Sequence, residues 1–286
     1  MTILLTGVTG QVGGAALRAL DVPVRVLTRS AVSVGGDAEL FVGSFDDAPS
    51  LRRAFDGVDV LFLTGRDNPD QVAQHLRVLE VAAASGVTHV VKLSAIGARP
   101  DSPVALMRWH AAIERALRQS DLAWTFLRLH LYMQNLLRFA GDVAAHGRIA
   151  APMGAARFPF VDTRDVGAAA AAVLRDPPAH AGTTYALTGP SALSYAEIAS
   201  AVTSLVGTPV AYEAVEATGF RAGLIDAGVP AWRADDLAAI AAAYTDADNT
   251  PTPDLPTLLG RSPTSFTRFL DDHRETFVAG ASRSHL

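Results

Sequence analysis

Short apolar runs along this chain alternate with longer segments whose apolar residues recur at helical spacing. Ile3, Leu4 and Leu5 form the first run and read as a buried strand, and residues 15–20 open a helix. Residues 24–29 read as a second strand, 39–44 as a short third and 50–55 as a brief helix. From Val58 to Gly65 the chain is almost continuously apolar, the pattern of a central parallel strand covered on both faces. Val72, Leu76, Leu79 and Ala83 then keep helical spacing through 70–85, and Gly86 ends that helix. Residues 89–95 read as a fifth strand, 103–119 as a helix and 122–131 as a sixth strand. Residues 147–160 form a loop rich in Ala, Pro and Gly, and 161–167 lead into an alanine-rich helix. A strand at 183–188, a helix at 194–205 and a strand at 209–215 follow, then helices at 217–227, 232–244 and 265–272. Ser194 and Glu197 frame a capping box. Residues 246–256 read as an ordered loop, and the chain frays from Ser282. Strand and helix alternating in this way predict an α/β fold, a doubly wound parallel sheet.

Composition narrows the class. With 286 residues, 49% hydrophobic and 19% charged, the chain has the make-up of a packed globular protein. A net charge of −5 gives no pull toward nucleic acid or an anionic membrane. The absence of cysteine excludes disulfides, thiolate metal sites and cysteine nucleophiles. No basic leader with an apolar core opens the sequence, and no apolar run approaches the roughly 18–20 residues of a membrane span. A cytoplasmic protein acting on a small molecule, as monomer or homodimer, is expected.

The chemistry gathers first around Thr6-Gly-Val-Thr-Gly-Gln-Val-Gly13. Strand, glycine turn and helix point backbone N–H groups and a helix N-terminus at a phosphate. Gly7 permits the tight turn, Gly10 clears the approach of a pyrophosphate, and Gly13 lets helix and strand pack closely. Thr6 and Thr9 add hydroxyls, and Gln11 and Val12 are candidate cofactor-binding positions in the same segment. The spacing is G-x-x-G-x-x-G, and its position between strand and helix makes dinucleotide binding the expected role. About 20 residues on, where an acidic residue would bond the ribose 2′-hydroxyl of NAD, stands Arg29. A cation there suits a 2′-phosphate and predicts NADP, with NAD possible; the alternative is that Arg29 merely ends a surface strand. Leu63, Thr64 and Gly65 should lie over the cofactor.

Ser94, at the carboxyl end of the fifth strand, is a candidate for cofactor and substrate alike, or else a strand-end serine bonded to local backbone. His110 is a candidate to donate a proton or orient substrate, with an ordinary pKa of about 6.5; the alternative is a bond to Glu114 one turn on. His110 and Glu114 offer half a metal site without a third ligand, so no metal is expected. Tyr132 follows the sixth strand and is a candidate substrate contact or a core residue. Trp109, Met133, Met153, Phe158 and Phe160 are either the wall of an apolar pocket or plain core. Asp162, Thr163 and Asp165 read as the charged, capped start of a helix rather than as an acid–base pair.

Together with Leu27-Thr-Arg29, Ser85-Gly-Val-Thr-His89, Thr125-Phe-Leu-Arg128, Tyr132, Phe160-Val-Asp-Thr-Arg-Asp-Val-Gly167 and Ala227-Gly-Val-Pro230, the glycine segment resembles the NmrA-like branch of the short-chain dehydrogenase/reductases. The likeness is nearest to its triphenylmethane reductase and NADPH:quinone oxidoreductase members. The resemblance implies a Rossmann-type nucleotide domain over 1–150 and a smaller C-terminal α/β substrate lobe over 151–286, with the helix at 163–176 packing back onto the first. It implies an NADP or NAD cofactor and reduction of flat conjugated acceptors such as quinones and dyes. Alternatives are a non-catalytic NAD(P) sensor, or a biosynthetic enzyme acting on a polyketide-like quinone. The Tyr-x-x-x-Lys pair common in the superfamily is replaced by His110-Ala-Ala-Ile-Glu114, and the expected Gly-Asp beside adenine by Gly43-Ser44. A quinone needs little acid help, whereas an isolated ketone needs a placed proton donor. The missing pair therefore points to quinone-like or dye-like acceptors.

Overall fold

The computed structural model describes residues 1–31, 38–245 and 248–279. In chain order the strands are β1 (Ile3–Thr6), β2 (Val24–Thr28), β3 (Ala38–Val42), β4 (Val60–Leu63), β5 (His89–Ala95), β6 (Ala123–Leu129), β7 (Arg148–Ala151), β8 (Arg157–Phe158), β9 (Thr183–Leu187), β10 (Leu193–Ser194) and β11 (Ala211–Ala214). The α-helices are α1 (Gln11–Ala19), α2 (Ala48–Phe55), α3 (Gln71–Ala84), α4 (Ala105–Arg118), α5 (Ala140–His146), α6 (Thr163–Arg175), α7 (Tyr195–Val206), α8 (Ala217–Asp226), α9 (Ala231–Thr245), α10 (Asp254–Leu259), α11 (Phe266–Asp272) and α12 (Arg274–Ala279).

The chain divides into two units. The first comprises residues 1–129, 163–187 and 253–261; the second comprises 130–162, 188–252 and 262–286. The expected cut near residue 150 is therefore misplaced. Residues 130–150 belong to the second unit, and the chain returns to the first not only for α6, as expected, but also for β9 and α10. The reason is architectural: β9 adds the last strand of the main sheet, and α6 packs on α1, so both must rejoin the first unit.

The first unit is a seven-stranded sheet in the order β3-β2-β1-β4-β5-β6-β9, parallel throughout. The order reverses between β1 and β4, and ligands of such sheets bind beyond the carboxyl ends of the strands at that reversal. Leu4, Leu61, Val90 and Phe126 from the strands pack with Leu51, Phe55, Val78, Ile113 and Leu117 from α2, α3 and α4 in one core. α6 lies so close to α1 that a Cβ on Gly167 would sit 2.6 Å from the backbone nitrogen of Ala16.

The second unit holds two small sheets, β7 parallel to β11 and β8 antiparallel to β10. Phe139, Phe158, Phe160 and Tyr195 form an edge-to-face aromatic core there. Met133, Met153, Phe158 and Phe160 are all buried, which places them in packing rather than on a pocket wall. The stretch at 147–160 is not a plain loop, since it contributes β7 and β8. The proposed loop at 246–256 contains the start of α10, and its residues 246–247, like Ser282 onward and most of 30–37, lie outside the described residues. The capping box at Ser194 is formed: its hydroxyl accepts from the Glu197 N–H, and the Glu197 carboxylate accepts from the Ser194 N–H.

Candidate functional site

The glycine turn has the shape its sequence demands. Gly7 has φ +65°, and a Cβ there would press on Thr64 at 3.0 Å. A Cβ on Gly13 would lie 2.6 Å from the carbonyl carbon of Gly7, so only glycine lets α1 start this close to β1. The Gly10 N–H donates to the Gly7 carbonyl at 2.9 Å, and the Gly14 N–H to the Gly10 carbonyl at 2.9 Å. The N–H groups of the first turn, from Gln11 to Gly13, thus have no helical acceptor. Gly10 at the N-cap offers no side chain in their place. Thr9, Gly10 and Gln11 are exposed, whereas Val12 is buried beneath them. Unbonded N–H groups at the positive end of a helix, opening at an exposed glycine, fit the pyrophosphate of a dinucleotide.

Thr6 is a correction. Its hydroxyl accepts from the Thr64 N–H at 2.9 Å and reaches the carbonyls of Thr64 and Phe62 at 2.7 and 3.0 Å. It is fully buried and ties β1 to the end of β4, so it offers nothing to a phosphate. By the same link it sets the position of Leu63, Thr64 and Gly65. Leu63 and Thr64 are buried; Gly65 is exposed, and a Cβ on it would lie 3.0 Å from the Nε2 of His75. Arg29 follows β2, exposed and without a hydrogen-bond or ion-pair partner among the described residues. Ser44 is half-buried: its N–H donates to Ser50 and its hydroxyl accepts from the Asp46 N–H.

On the face of the sheet under α3 and α4, the lower layer is the apolar core described above. The layer nearest the carboxyl ends is polar. Lys92 and Ser94 come from β5, Arg128 from β6, His75 from α3, and His110 and Glu114 from α4. All but Arg128 are buried. The Ser94 hydroxyl donates to Glu114 at 2.7 Å. Arg128 grips the same carboxylate through two nitrogens, at 2.9 and 2.6 Å, and Arg118 adds a third contact at 3.0 Å. Burial works against the charge of Glu114, but the bonds from Arg128 and Ser94 outweigh it and hold the carboxyl below its ordinary range.

Neither reading of His110 as a partner of Glu114 nor that of Ser94 as a backbone-bonded serine describes this layer. Ser94 is spent on Glu114, and His110 pairs with Lys92, whose Nζ lies 3.2 Å from its Nδ1. Burial keeps the His110 ring well below its usual pKa, reinforced by Lys92, His75 and Arg128. Burial also brings Lys92 down to about 8, against the pull of Glu114 and Asp67. Lys92 escapes a sequence reading because a lone lysine in an apolar strand suggests the surface. The available signal was its setting in a central parallel strand, covered on both faces. Tyr132 stands in the second unit, half-buried, where Met133 N–H and Val161 N–H knit the flanking backbone at 2.9 Å. In that unit Gln134 donates to Asp162 at 2.8 Å; in the first, buried Asp165 pairs with Arg261 at 2.6 Å.

Comparison with known proteins agrees with this geometry. The NAD(P)H azoreductase of Xenophilus azovorans is 32% identical over 97% of this chain and 99% of its own. The Citrobacter triphenylmethane reductase, solved with NADP(H), superposes with a TM-score of 0.85 at 27% identity, covering 95% of this chain and 99% of that one. The NADPH-dependent quinone oxidoreductase of Escherichia coli, solved with NADPH, gives 0.88 at 26% identity with the same coverage. The NmrA-like family model matches residues 1–268. With its glycine cradle, its sheet order and a family match spanning nearly the whole sequence, the chain belongs to the NmrA-like family.

Proposed function

We propose that this chain is an NAD(P)H-dependent reductase, favouring NADPH, that reduces a quinone-like, dye-like or other conjugated aromatic acceptor. The observation that carries the reading is the cradle at Gly7, Gly10 and Gly13, where the first N–H groups of α1 have no helical acceptor and Gly7 and Gly13 leave no room for a Cβ. When bound, the reduced nicotinamide supplies hydride. Gln11 and Val12 hold the pyrophosphate through backbone N–H groups, with Thr9 and Gly10 lining its approach, and Arg29, unpartnered among the described residues, takes the 2′-phosphate. Leu63, Thr64 and Gly65 form the floor beside it, with Ser44 toward the adenine. Names of relatives that act on azo compounds, quinones and triphenylmethane dyes support the acceptor class. His110 serves as the proton donor and Tyr132 as a substrate contact, while Ser94 acts only by anchoring Glu114.

The test is fluorescence titration of NADPH and NADH, followed by nucleotide oxidation at 340 nm with benzoquinones, naphthoquinones, a triphenylmethane dye and a simple ketone. The expected result is tight NADPH binding with turnover of quinone or dye and none of the ketone. Binding without turnover of any acceptor instead supports a nucleotide sensor. That second reading is favoured by the mutual bonding of Ser94 and Glu114, which leaves no Ser-Tyr-Lys constellation.

A further inference from the structure

Lys92 is 1% exposed on a central strand, opposite Leu63 of β4. Its ammonium donates to the carbonyl of Leu93 and meets Nδ1 of His110. Arg128, Ser94 and Arg118 all converge on Glu114, and no carboxylate among the described residues forms an ion pair with Lys92. An ammonium only donates, so the nitrogen it meets on a neutral imidazole is the unprotonated one. The ring's own proton must then sit on Nε2. His110 is thereby an acceptor toward the interior and a donor at its far end, and at 9% exposure it keeps surface that Lys92 lacks.

We propose that Lys92 is a positioning residue for proton delivery: it fixes His110 as the Nε2–H tautomer and replaces the proton that His110 gives to the reduced acceptor. The proposal rests on the reductase reading above. The acceptor takes hydride from the reduced nicotinamide, which is oxidised, and gains an electron pair. The Nε2–H bond of His110 breaks, and its proton bonds to the acceptor's oxygen or nitrogen. One Nζ–H proton of Lys92 passes to Nδ1, leaving a neutral amine beside a neutral Nδ1–H ring, and solvent protons restore the pair. The surrounding charges suit the starting state and keep the ring neutral throughout. Glu114 and Asp67 hold the proton on the lysine until it is called for, while Lys92, His75 and Arg128 disfavour a charged imidazole, so the ring gives one proton as it takes the other.

Three acceptors separate proton delivery from hydride transfer. A cationic triphenylmethane dye becomes neutral on receiving hydride and needs no proton. A quinone needs one on a stabilised oxyanion, and an azo compound needs one on a more basic nitrogen. With saturating NADPH and the full chain, Lys92→Met and His110→Phe should each lower the ratio of azo-dye to triphenylmethane-dye kcat about 100-fold, with a smaller fall in the quinone ratio. Azo-dye turnover by the unaltered protein should also fall as pH rises above about 8, where Lys92 loses its proton, with no parallel fall for the triphenylmethane dye. Independently of turnover, ¹⁵N NMR of the histidine-labelled, nucleotide-free protein should show His110 protonated on Nε2 and bare on Nδ1, a state that Lys92→Met converts to a mixture. Should Lys92→Met not fold, His110→Phe and the spectrum of the unaltered protein decide the matter. An Nδ1–H ring in the unaltered protein, or an equal fall with all three acceptors, overturns the proposal. No turnover of any acceptor refutes the reductase reading itself; an Nε2–H ring in that protein would then serve no reduction, and the proposal falls with it.

Discussion

Gly10 and Gly13 are both glycines of one turn, yet they answer to different constraints. At Gly13 a methyl group meets the carbonyl carbon of Gly7 at 2.6 Å, a clash of backbone with backbone. Gly13→Ala should therefore lower stability by about 1–3 kcal/mol, the usual cost of overpacking, read as a fall in the urea midpoint. At Gly10 the nearest atom is the Gly7 carbonyl oxygen at 3.2 Å, and the backbone is ordinary extended. Gly10→Ala should fold with a loss of about 1 kcal/mol, as for an N-cap alanine, while NADPH affinity falls at least about tenfold. Unchanged affinity at Gly10 would remove the pyrophosphate from this turn. Arg29→Ala should weaken NADPH by about tenfold and NADH hardly at all, since only the former carries the 2′-phosphate. Equal losses for both nucleotides would leave Arg29 a surface residue. The glycines were legible in the sequence because their constraint is local, one turn of backbone. Thr6 and Ser94 were legible as positions but not as roles. Their hydroxyls are claimed by Thr64 and Glu114, brought close only by the folded sheet and helix layer.

Among elements, α4 is held to the sheet by charge as much as by apolar packing. Glu114 is 0% exposed and receives Ser94 of β5, Arg128 of β6 and Arg118 of its own helix. Glu114→Ala strips the partner from Arg128, which is part-exposed, and should cost about 1–3 kcal/mol, measured by urea denaturation. Loss of under about 1 kcal/mol would mean the network is not structural. Acid should weaken the fold through its buried histidines. His89 and His130 are each pushed down to about 4 by burial, against about 6.5 in the unfolded chain. Between those values the unfolded chain binds more protons, so stability rises with pH from 4 to 6.5 and is lost as pH falls through that window. Glu114, held below its ordinary range, adds a loss that begins near the unfolded carboxyl value and continues as pH falls. A urea midpoint that stays flat between pH 7 and pH 4.5 would contradict this. Helices and strands of the first unit were readable because parallel strands are apolar runs and their covering helices amphipathic. The pieces that escaped, among them β7, β8, α5, α10 and α12, are each seven residues or fewer, too short to show a periodicity.

Across the whole molecule, the parallel sheet and the glycine turn were legible from the order of elements. The division into units was legible only for α6, expected to pack back onto the first; β9 and α10 also join that unit from late in the chain, and 130–150 leave it. Membership of a unit depends on packing such as Gly167 on Ala16, which leaves only a small residue in an alanine-rich helix as its trace. The central claim is direct hydride transfer from bound NADPH to a conjugated acceptor, and an isotope measures it most directly. NADPH carrying deuterium at the transferable nicotinamide C4 position is mixed with the protein and a cationic triphenylmethane dye, and the colourless product is analysed by mass spectrometry and NMR. One deuterium on the central methine carbon, with nucleotide oxidised in equal amount, is the predicted result. Product carrying only solvent hydrogen at that carbon, or dye and nucleotide both left intact, would contradict it.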